Sequence, residues 1–184
     1  FSSTFTTVQG GNISEVKIAP NDNSITKAAG IPELKQEESV NASLGFAWKA
    51  MPQLSISCDL YWVNIKDRVV LSSQFDASDN TLDPAFTAEL KRLRVGLAQF
   101  FANAVNTTNK GIDLVFDYNR KFGVNRIRLL AMGNIQEMTI DKINVPEKLN
   151  DTESHRKQFL SDREQAFILA SAPPVKLGFN LEYG

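Results

Sequence analysis

The sequence contains little of what catalytic and metal-binding sites are commonly built from. Its 184 residues include a single cysteine, Cys58, and a single histidine, His155. One cysteine excludes an internal disulfide and a thiolate metal cluster, and one histidine argues against a histidine metal site. With 20 basic and 21 acidic residues the formal net charge is -1, so the chain carries no electrostatic footprint for nucleic acid.

A long apolar run is also missing from the sequence. No stretch of about eighteen apolar residues occurs, and this excludes a transmembrane helix. It does not exclude a membrane barrel, whose strands are apolar at alternate residues only. The chain begins at Phe1, without an initiator methionine or a signal peptide. We interpret it as one piece of a larger protein, so that absent targeting signals carry no weight.

The clearest pattern that is present is a pair of alternating runs between Ser39 and Asp67. Val40–Lys49 and Leu54–Val63 alternate apolar with polar or small side chains on either side of a short turn at Ala50–Gln53. Successive strand side chains point to opposite faces, so a period of two predicts strands. Each run has roughly ten residues, about double the usual globular strand and enough for a tilted strand to cross a bilayer.

The same alternation recurs later in the chain, at Ile112–Tyr118, Ile127–Gln136 and Val175–Tyr183. Near the start, Phe1–Val8 and Ile13–Ile18 predict two more strands, joined by a glycine turn at Gln9–Asn12. Ser24–Ala29 predicts one helical turn that ends at Gly30.

Two helices are predicted in the longer connections. Asp83–Pro84 supplies an N-cap and a first helical residue, and an apolar stripe follows at helical spacing. The stripe consists of Phe86, Leu90, Leu93, Leu97 and Phe100. We expect it to pack on the sheet or on a neighbouring loop. The second helix would carry one face formed by Phe159, Arg163, Ala166, Phe167 and Ala170, and would stop at Pro173–Pro174.

Short and long connections alternate along the chain. Ala50–Gln53 and Asn119–Asn125 are tight, whereas about Ser72–Gln99 and Ile143–Pro174 are long. Transmembrane barrels sort their loops in this way, with short turns at one rim and long loops at the other. The sequence therefore predicts a mainly β fold, an antiparallel up-and-down meander that forms an arc of a large transmembrane β-barrel, with one or two short helices in the long loops.

The face opposite the apolar one is polar, and its charges suit a wide, wet lumen better than a narrow packed interior. Its polar residues are Asn41, Lys49, Asp59, Asp113, Asp117, Arg126 and Arg128. The alternative is a soluble β-sandwich used for binding or adhesion, which would bury the same apolar faces against a second sheet. That alternative does not explain the sorted loops or the length of the strands.

Three segments carry a resemblance to a known family. Leu34–Arg68 resembles the late-barrel segment of TonB-dependent outer-membrane receptors, with Gly45, Pro52 and Ile65–Arg68 in matching places. Where the family has Pro and Glu before the strand, Gln36 and Glu37 stand here, so that element matches only in part. The segments Phe100–Tyr118 (with Asn103 and Gly111) and Ala172–Gly184 resemble the family's next strands.

The resemblance implies energised import of a scarce, large solute across a bacterial outer membrane: a siderophore, haem, cobalamin or a glycan. Residues 1–184 would form a partial barrel domain, with the plug and the final barrel strands outside it. The implied partners are outer-membrane lipid, TonB acting through other parts of the parent protein, and an extracellular solute, with no nucleic acid. Candidate extracellular ligand loops are residues 74–99 and 144–163, without individual contact residues.

No catalytic, cofactor or metal residue is predicted, and no motif favours an enzyme. Asp76, Asp79 and Asp83, with Ser78 and Asn80, could hold Ca²⁺ through oxygen atoms, but the loop lacks the EF-hand spacing. Asp59 with Asp113 or Asp117 could form a carboxylate pair, although polar lumen residues are the simpler interpretation. His155 is predicted to be a solvated loop histidine, and Cys58 an inert side chain on the apolar face.

Overall fold

A computed structural model describes residues 3–9 and 12–184, and its contacts divide the chain into two compact units. Unit 1 contains the described residues of Phe1–Glu38, Lys66–Asn106 and Ile140–Ile168, and unit 2 contains Ser39–Ile65, Thr107–Thr139 and Leu169–Gly184. None of the helices in these described ranges is long and apolar enough to cross a membrane.

The secondary structure consists of strands joined by short helical connections. In chain order the elements are β1 (Ser3–Gln9), β2 (Asn12–Ala19), α1 (Ser24–Ala28), β3 (Glu38–Met51), β4 (Leu54–Leu71), β5 (Phe75–Asp76), α2 (Pro84–Arg92), β6 (Leu97–Phe122), β7 (Asn125–Ile143), a 3-10 turn (Glu147–Leu149), α3 (Glu153–Phe159), α4 (Asp162–Ala170) and β8 (Val175–Tyr183).

The strands form the predicted meander. β3 pairs with β4, β4 with β6, β6 with β7, and β7 with β8. In unit 2 the amide of Asn119 donates to the carbonyl of Gln53, while Gly111 lies against Tyr61. As residue numbers rise along β4, the numbers of their partners on β6 fall, so these two strands are antiparallel. The fold class predicted from the alternation is confirmed, and it fits an arc of a barrel.

The two tight turns are shorter than the sequence indicated. Only Pro52–Gln53 and Gly123–Val124 lie outside the strands, so pairing continues through most of the residues that were assigned to turns. Gly123 has a φ of 61°, in the left-handed region that glycine enters without steric cost. Tight hairpin turns require a positive φ at their first central position, and Gly123 occupies that position here.

Unit 1 contains one pairing that the sequence did not predict. β1 and β2 form the expected antiparallel hairpin, but β2 then runs parallel to the start of β6, with Val16 opposite Leu97 and Ala19 opposite Phe100. The sheet is therefore mixed. The glycine turn predicted at Gln9–Asn12 has its centre outside the described residues.

The helix predicted to start at Asp83–Pro84 is α2. Its predicted start is correct, and its predicted end lies too far along the chain. The Oδ1 atom of Asp83 accepts from the amides of Ala85 (2.7 Å) and Phe86 (3.4 Å), as expected of an N-cap. The helix ends at Arg92, because Arg94 adopts a left-handed φ of 54°. Leu97 and Phe100, the last two residues of the predicted stripe, instead belong to β6, where strand partners bind their backbone.

The second predicted helix is two helices, α3 and α4. Phe159 ends α3, and the other four residues of the predicted face lie on α4. Phe159 is fully buried, whereas Phe167 is 62% exposed, so they do not form one packed face. Polar residues before Phe159 form most of α3, whose first turn Thr152 caps by accepting from the amide of His155.

The buried hydrophobic cluster lies entirely in unit 1. It includes Phe75, Phe86, Leu90, Phe100, Phe159 and Leu160, all without solvent exposure. The rings of Phe75, Phe86 and Phe100 pack in a triangle with centroids 5.8 to 5.9 Å apart, in tilted and edge-on arrangements that aromatic pairs prefer. The long connections of the chain are therefore folded onto a core of their own.

Candidate functional site

One face of unit 2 is an exposed apolar surface, here called the apolar belt. In β8 the belt side chains alternate strictly, and each lies opposite a β7 residue of the same face: Val175 with Ile135, Leu181 with Leu129. Large belt side chains that are at least two-fifths exposed are Val40, Leu44, Phe46, Trp48, Leu60, Trp62, Phe116, Leu129, Ile135, Val175, Leu177, Phe179, Leu181 and Tyr183. A contiguous apolar surface of this extent marks an interaction with a partner or a membrane.

The belt has the height of a bilayer's hydrocarbon. β8 has 9 residues, which extend over about 26 Å at the usual strand rise and somewhat less once tilted. On β6 and β7 the belt ends at an ion pair between Lys110 and Glu137. Their charged groups are 3.0 Å apart, and both side chains are more than half exposed. An apolar band about 25 Å tall with a polar border is the outer surface of a membrane barrel.

The opposite face of unit 2 carries a polar network. Asn134 donates to the Tyr61 hydroxyl (3.2 Å) and to the Asp113 carboxylate (2.7 Å). The Tyr61 hydroxyl and the Asn109 amide both donate to the Gln136 side-chain oxygen, at 3.2 and 3.1 Å. Polar side chains on three neighbouring strands thereby hydrogen-bond to one another, while Oδ1 of Asn109 is buried without a partner.

One ion pair on this face joins neighbouring strands. Arg128 donates to both carboxylate oxygens of Asp117, at 3.1 and 2.8 Å, which is a bidentate ion pair. Asp59 packs over Gly45, where an added Cβ would collide with its carboxylate. Asp113 accepts from Asn134, so each of the three carboxylates considered for a carboxylate pair has a structural contact of its own.

In unit 1 a single asparagine fixes the approach to β3. The Asn103 side chain accepts from the Lys35 amide (2.8 Å), and it donates to the carbonyls of Lys35 (2.9 Å) and Asp67 (2.6 Å). The Asn103 side chain therefore bonds both the amide and the carbonyl of Lys35, as the backbone of a neighbouring strand would. Asn106 accepts from the Asp67 amide at 3.0 Å, at a residue whose φ of 55° is left-handed. These contacts give the matched Asn103 a physical role.

Both candidate ligand loops, 74–99 and 144–163, lie in unit 1, where the structure brings them together. The Ser73 amide, just before the first loop, donates to the Phe159 carbonyl at 3.1 Å. Phe86 and Leu90 of the first loop and Phe159 of the second are buried in the cluster. Much of each loop is therefore structural, and only its exposed residues can meet a ligand.

His155 joins the two loops, and the prediction of a solvated histidine was wrong. Its side chain is only 6% exposed, with Nδ1 2.6 Å from Asp151 and Nε2 3.2 Å from the Thr81 hydroxyl. Thr81 donates to the Asp79 carboxylate, which also accepts from Gln158 on α3. A sequence signal existed: Asp151 precedes His155 by four residues, the spacing of one helix face.

The family model for the TonB-dependent receptor-like β-barrel matches residues 1–183. The chain belongs to the TonB-dependent receptor β-barrel family. Members of this family are outer-membrane receptors and transporters, not enzymes, and the belt and the polar face of unit 2 are the two surfaces of such a barrel wall. No curated protein and no solved structure matches the chain.

Asp76, Asp79 and Asp83 of the receptor's first long loop, the acidic residues considered for Ca²⁺, act in turns and in a helix cap. Asp76 accepts from the amide and the hydroxyl of Ser78, both at 2.7 Å, and Asp79 accepts in the same way from Thr81 at 2.9 and 2.6 Å. Asp83 caps α2. Within residues 3–9 and 12–184 no three acidic, histidine or cysteine side chains group as metal ligands. Asp76 and Asp79 therefore close Asx turns, and the second oxygen of Asp79 also accepts from the distant Gln158.

Hydrogen bonding sets the electrostatics of the receptor's loop network. The hydroxyl and amide of Thr81 lower the pKa of Asp79, with a smaller contribution from Gln158. The hydrogen bond from His155 lowers the pKa of Asp151. For Glu164 on α4, burial raises the pKa, but hydrogen bonds from Ser161 and Ser73 outweigh that effect. The network is therefore built around ionised carboxylates.

Proposed function

We propose that residues 1–184 form a partial barrel domain of a Gram-negative outer-membrane receptor that takes up a scarce, large solute with energy from TonB. The solute would be a siderophore, haem, cobalamin or a glycan. The observation that carries this proposal is the two-faced sheet of unit 2, apolar on one side over a membrane-crossing length and polar on the other, within a chain that the receptor family matches.

In this proposal the apolar belt contacts outer-membrane lipid and the polar network lines the lumen. Pro52–Gln53 and Gly123–Val124 are periplasmic turns, because short turns belong to that rim in this class of barrel. The paired charges of the polar face support a wet lumen, since ion pairs and amides lose little when water reaches them. TonB would act through other parts of the parent receptor.

The ligand would meet the exposed surface of the two long loops. Residues Ser78, Asn80 and Thr81 of the first loop and Asn150 of the second face solvent, while their neighbours hold the core. The contacts between the loops favour a preformed ligand surface, which reduces the ordering cost of binding.

The proposal can be tested with the chain's single cysteine. Cys58 is a free thiol on the belt side of β4, and Ser57 is next to it on the polar side. A nitroxide on Cys58, in the receptor reconstituted in liposomes, should be more accessible to oxygen than to a water-soluble nickel complex. A matched Ser57→Cys, Cys58→Ser variant should show the reverse preference, because its label faces the lumen.

The competing β-sandwich makes a different prediction for both labels. A nitroxide on Cys58 would then be buried between sheets and inaccessible to either reagent, and the full-length product would stay in solution without detergent. That pair of results would overturn the receptor proposal.

A further inference from the structure

The tight turn between β6 and β7 combines exposed cations with exposed apolar side chains. All residues from Arg120 to Arg126 are exposed, and Val124 at the tip is 99% exposed. The Arg120 guanidinium lies over the ring of Phe122, 4.7 Å from its centroid, and Lys121 stands between them in the sequence. A fixed cation on an aromatic ring in open solvent is a surface that a partner can use.

The charge of this turn is not neutralised within unit 2. Two carboxylates of unit 2 act on Arg128 instead: Asp117 forms an ion pair with it, and Glu182 of β8 lies opposite it in the strand register. In the described parts of the chain, Arg120 and Lys121 make no ion pair. The turn therefore presents unopposed positive charge.

The position of Arg120 relative to the apolar belt indicates the partner. On the belt side of β6, Tyr118 is the last residue of the belt, and Arg120 and Phe122 follow it on the same face. Two residues advance a strand by about 7 Å, or somewhat less when it is tilted. The headgroup layer of a bilayer is roughly 5–7 Å deep on each side of the hydrocarbon. A guanidinium at that level meets lipid phosphates.

We propose that Arg120, held on Phe122, and Lys121 bind the anionic headgroup of a membrane phospholipid at the short-turn rim. The inference rests on the proposed membrane placement of the belt. Phe122 would lie at the acyl boundary, and Arg120 on the same face would reach the phosphate, as amphipathic side chains do at interfaces. Lys121 alternates onto the polar face of β6, so it would contribute from the end of the strand, by extending its long side chain around the turn to the headgroup layer. Phospholipid is favoured over an acidic protein segment because Arg120 and Phe122 continue the lipid-facing side of the strand.

The experiment measures lipid binding to the purified full-length receptor by native mass spectrometry. Phosphatidylglycerol and phosphatidylcholine with the same acyl chains are added to the detergent-solubilised protein. The wild type should retain more phosphatidylglycerol. Each cation near an anionic headgroup is worth about a fivefold change in binding, so Arg120→Gln with Lys121→Gln should weaken phosphatidylglycerol binding about thirtyfold and leave phosphatidylcholine unchanged.

Three controls sharpen the test. Lys27→Gln with Lys91→Gln removes the same charge from exposed helical residues and should bind phosphatidylglycerol like the wild type. Arg120→Lys should keep most of the binding because the charge stays. Glycerol 3-phosphate, the headgroup chemistry without acyl chains, should not compete at the lipid's concentration.

Several outcomes would overturn the proposal. Equal binding by the wild type and the double variant would show that the turn does not recognise lipid, and competition by glycerol 3-phosphate would identify a site for free phosphate. If Cys58 labels report lipid and yet no preference for phosphatidylglycerol exists, this proposal fails alone. If Cys58 labels report water, the proposed function fails with it.

Discussion

The aromatic triangle of unit 1 should decide whether the first long loop stays folded. Phe86 is the residue through which α2 joins this triangle, and its ring lies 5.8 Å from that of Phe75 and 5.9 Å from that of Phe100. Phe86→Ala removes a side chain with no solvent exposure. Such a change costs about 3–5 kcal/mol, because it combines lost burial with a cavity that the surroundings fill only in part.

The assay is hydrogen–deuterium exchange of the full-length receptor, read on peptides that cover Pro84–Arg92. When local opening limits exchange, a loss of about 3–5 kcal/mol corresponds to roughly 150- to 5,000-fold faster exchange. Phe167→Ala on α4 is the matched control, since that ring is 62% exposed and its removal should change stability by less than about 0.5 kcal/mol.

Equal exchange of α2 in the two variants would refute the reasoning, because it would show that the triangle does not hold this helix. If Phe86→Ala does not accumulate, the volume-conserving Phe86→Leu should give a smaller increase of the same kind, since such core replacements usually cost below about 1.5 kcal/mol. Exchange of Phe86→Leu that is indistinguishable from the wild type would be a second contradiction.

Three further predictions concern other parts of the molecule. Leu44→Arg in the belt should destabilise the lipid-embedded barrel by about 2–4 kcal/mol, whereas its water-facing neighbour Ser43→Arg should change stability by less than about 0.5 kcal/mol. Both are measured by urea unfolding in liposomes with tryptophan fluorescence, and equal costs would contradict the face assignment. Asn103→Ala should speed amide exchange around Lys35 by removing three hydrogen bonds, each worth roughly 0.5–1.5 kcal/mol, and unchanged exchange would show that the bonds do not fix this loop. The pKa of Asp79 is lowered in the folded protein, so ionised Asp79 stabilises the fold fully above its ordinary pKa of 3.8, and this stabilisation is lost as the pH falls through the lower folded pKa. Asp79→Asn should therefore flatten the acid-side loss of exchange protection in the first loop. An unchanged pH profile of exchange would argue against the network.

The strands and their two faces were predictable because they depend on a local signal. Alternation such as that of Val175–Tyr183 is written into neighbouring residues, and a register with β7 follows once one face is apolar. The start of α2 was predictable for the same reason, since Asp83 and Pro84 act within one helical turn.

The errors arose where distant contacts decide the structure. The parallel pairing of Val16–Ala19 with Leu97–Phe100 joins segments about eighty residues apart, and it turned the end of a helical stripe into a strand. The left-handed Arg94 carries no sequence signature of a helix stop, unlike a glycine. His155 is buried through Thr81, again far away in the chain, so its surroundings were invisible in the sequence.

The contacts of Asn103 have a consequence for how this receptor can vary. Its three hydrogen bonds reach only main-chain atoms, at Lys35 and at Asp67, and these atoms are the same whatever side chain is attached. The remaining contact between the two partners is an exposed ion pair, which is worth at most about 1 kcal/mol. Asp67 has a left-handed φ that few side chains adopt, so its own sequence is constrained. At Lys35, by contrast, one side chain on β6 fixes the path of a segment without constraining its sequence, and substitutions can accumulate there while the route of the chain is preserved.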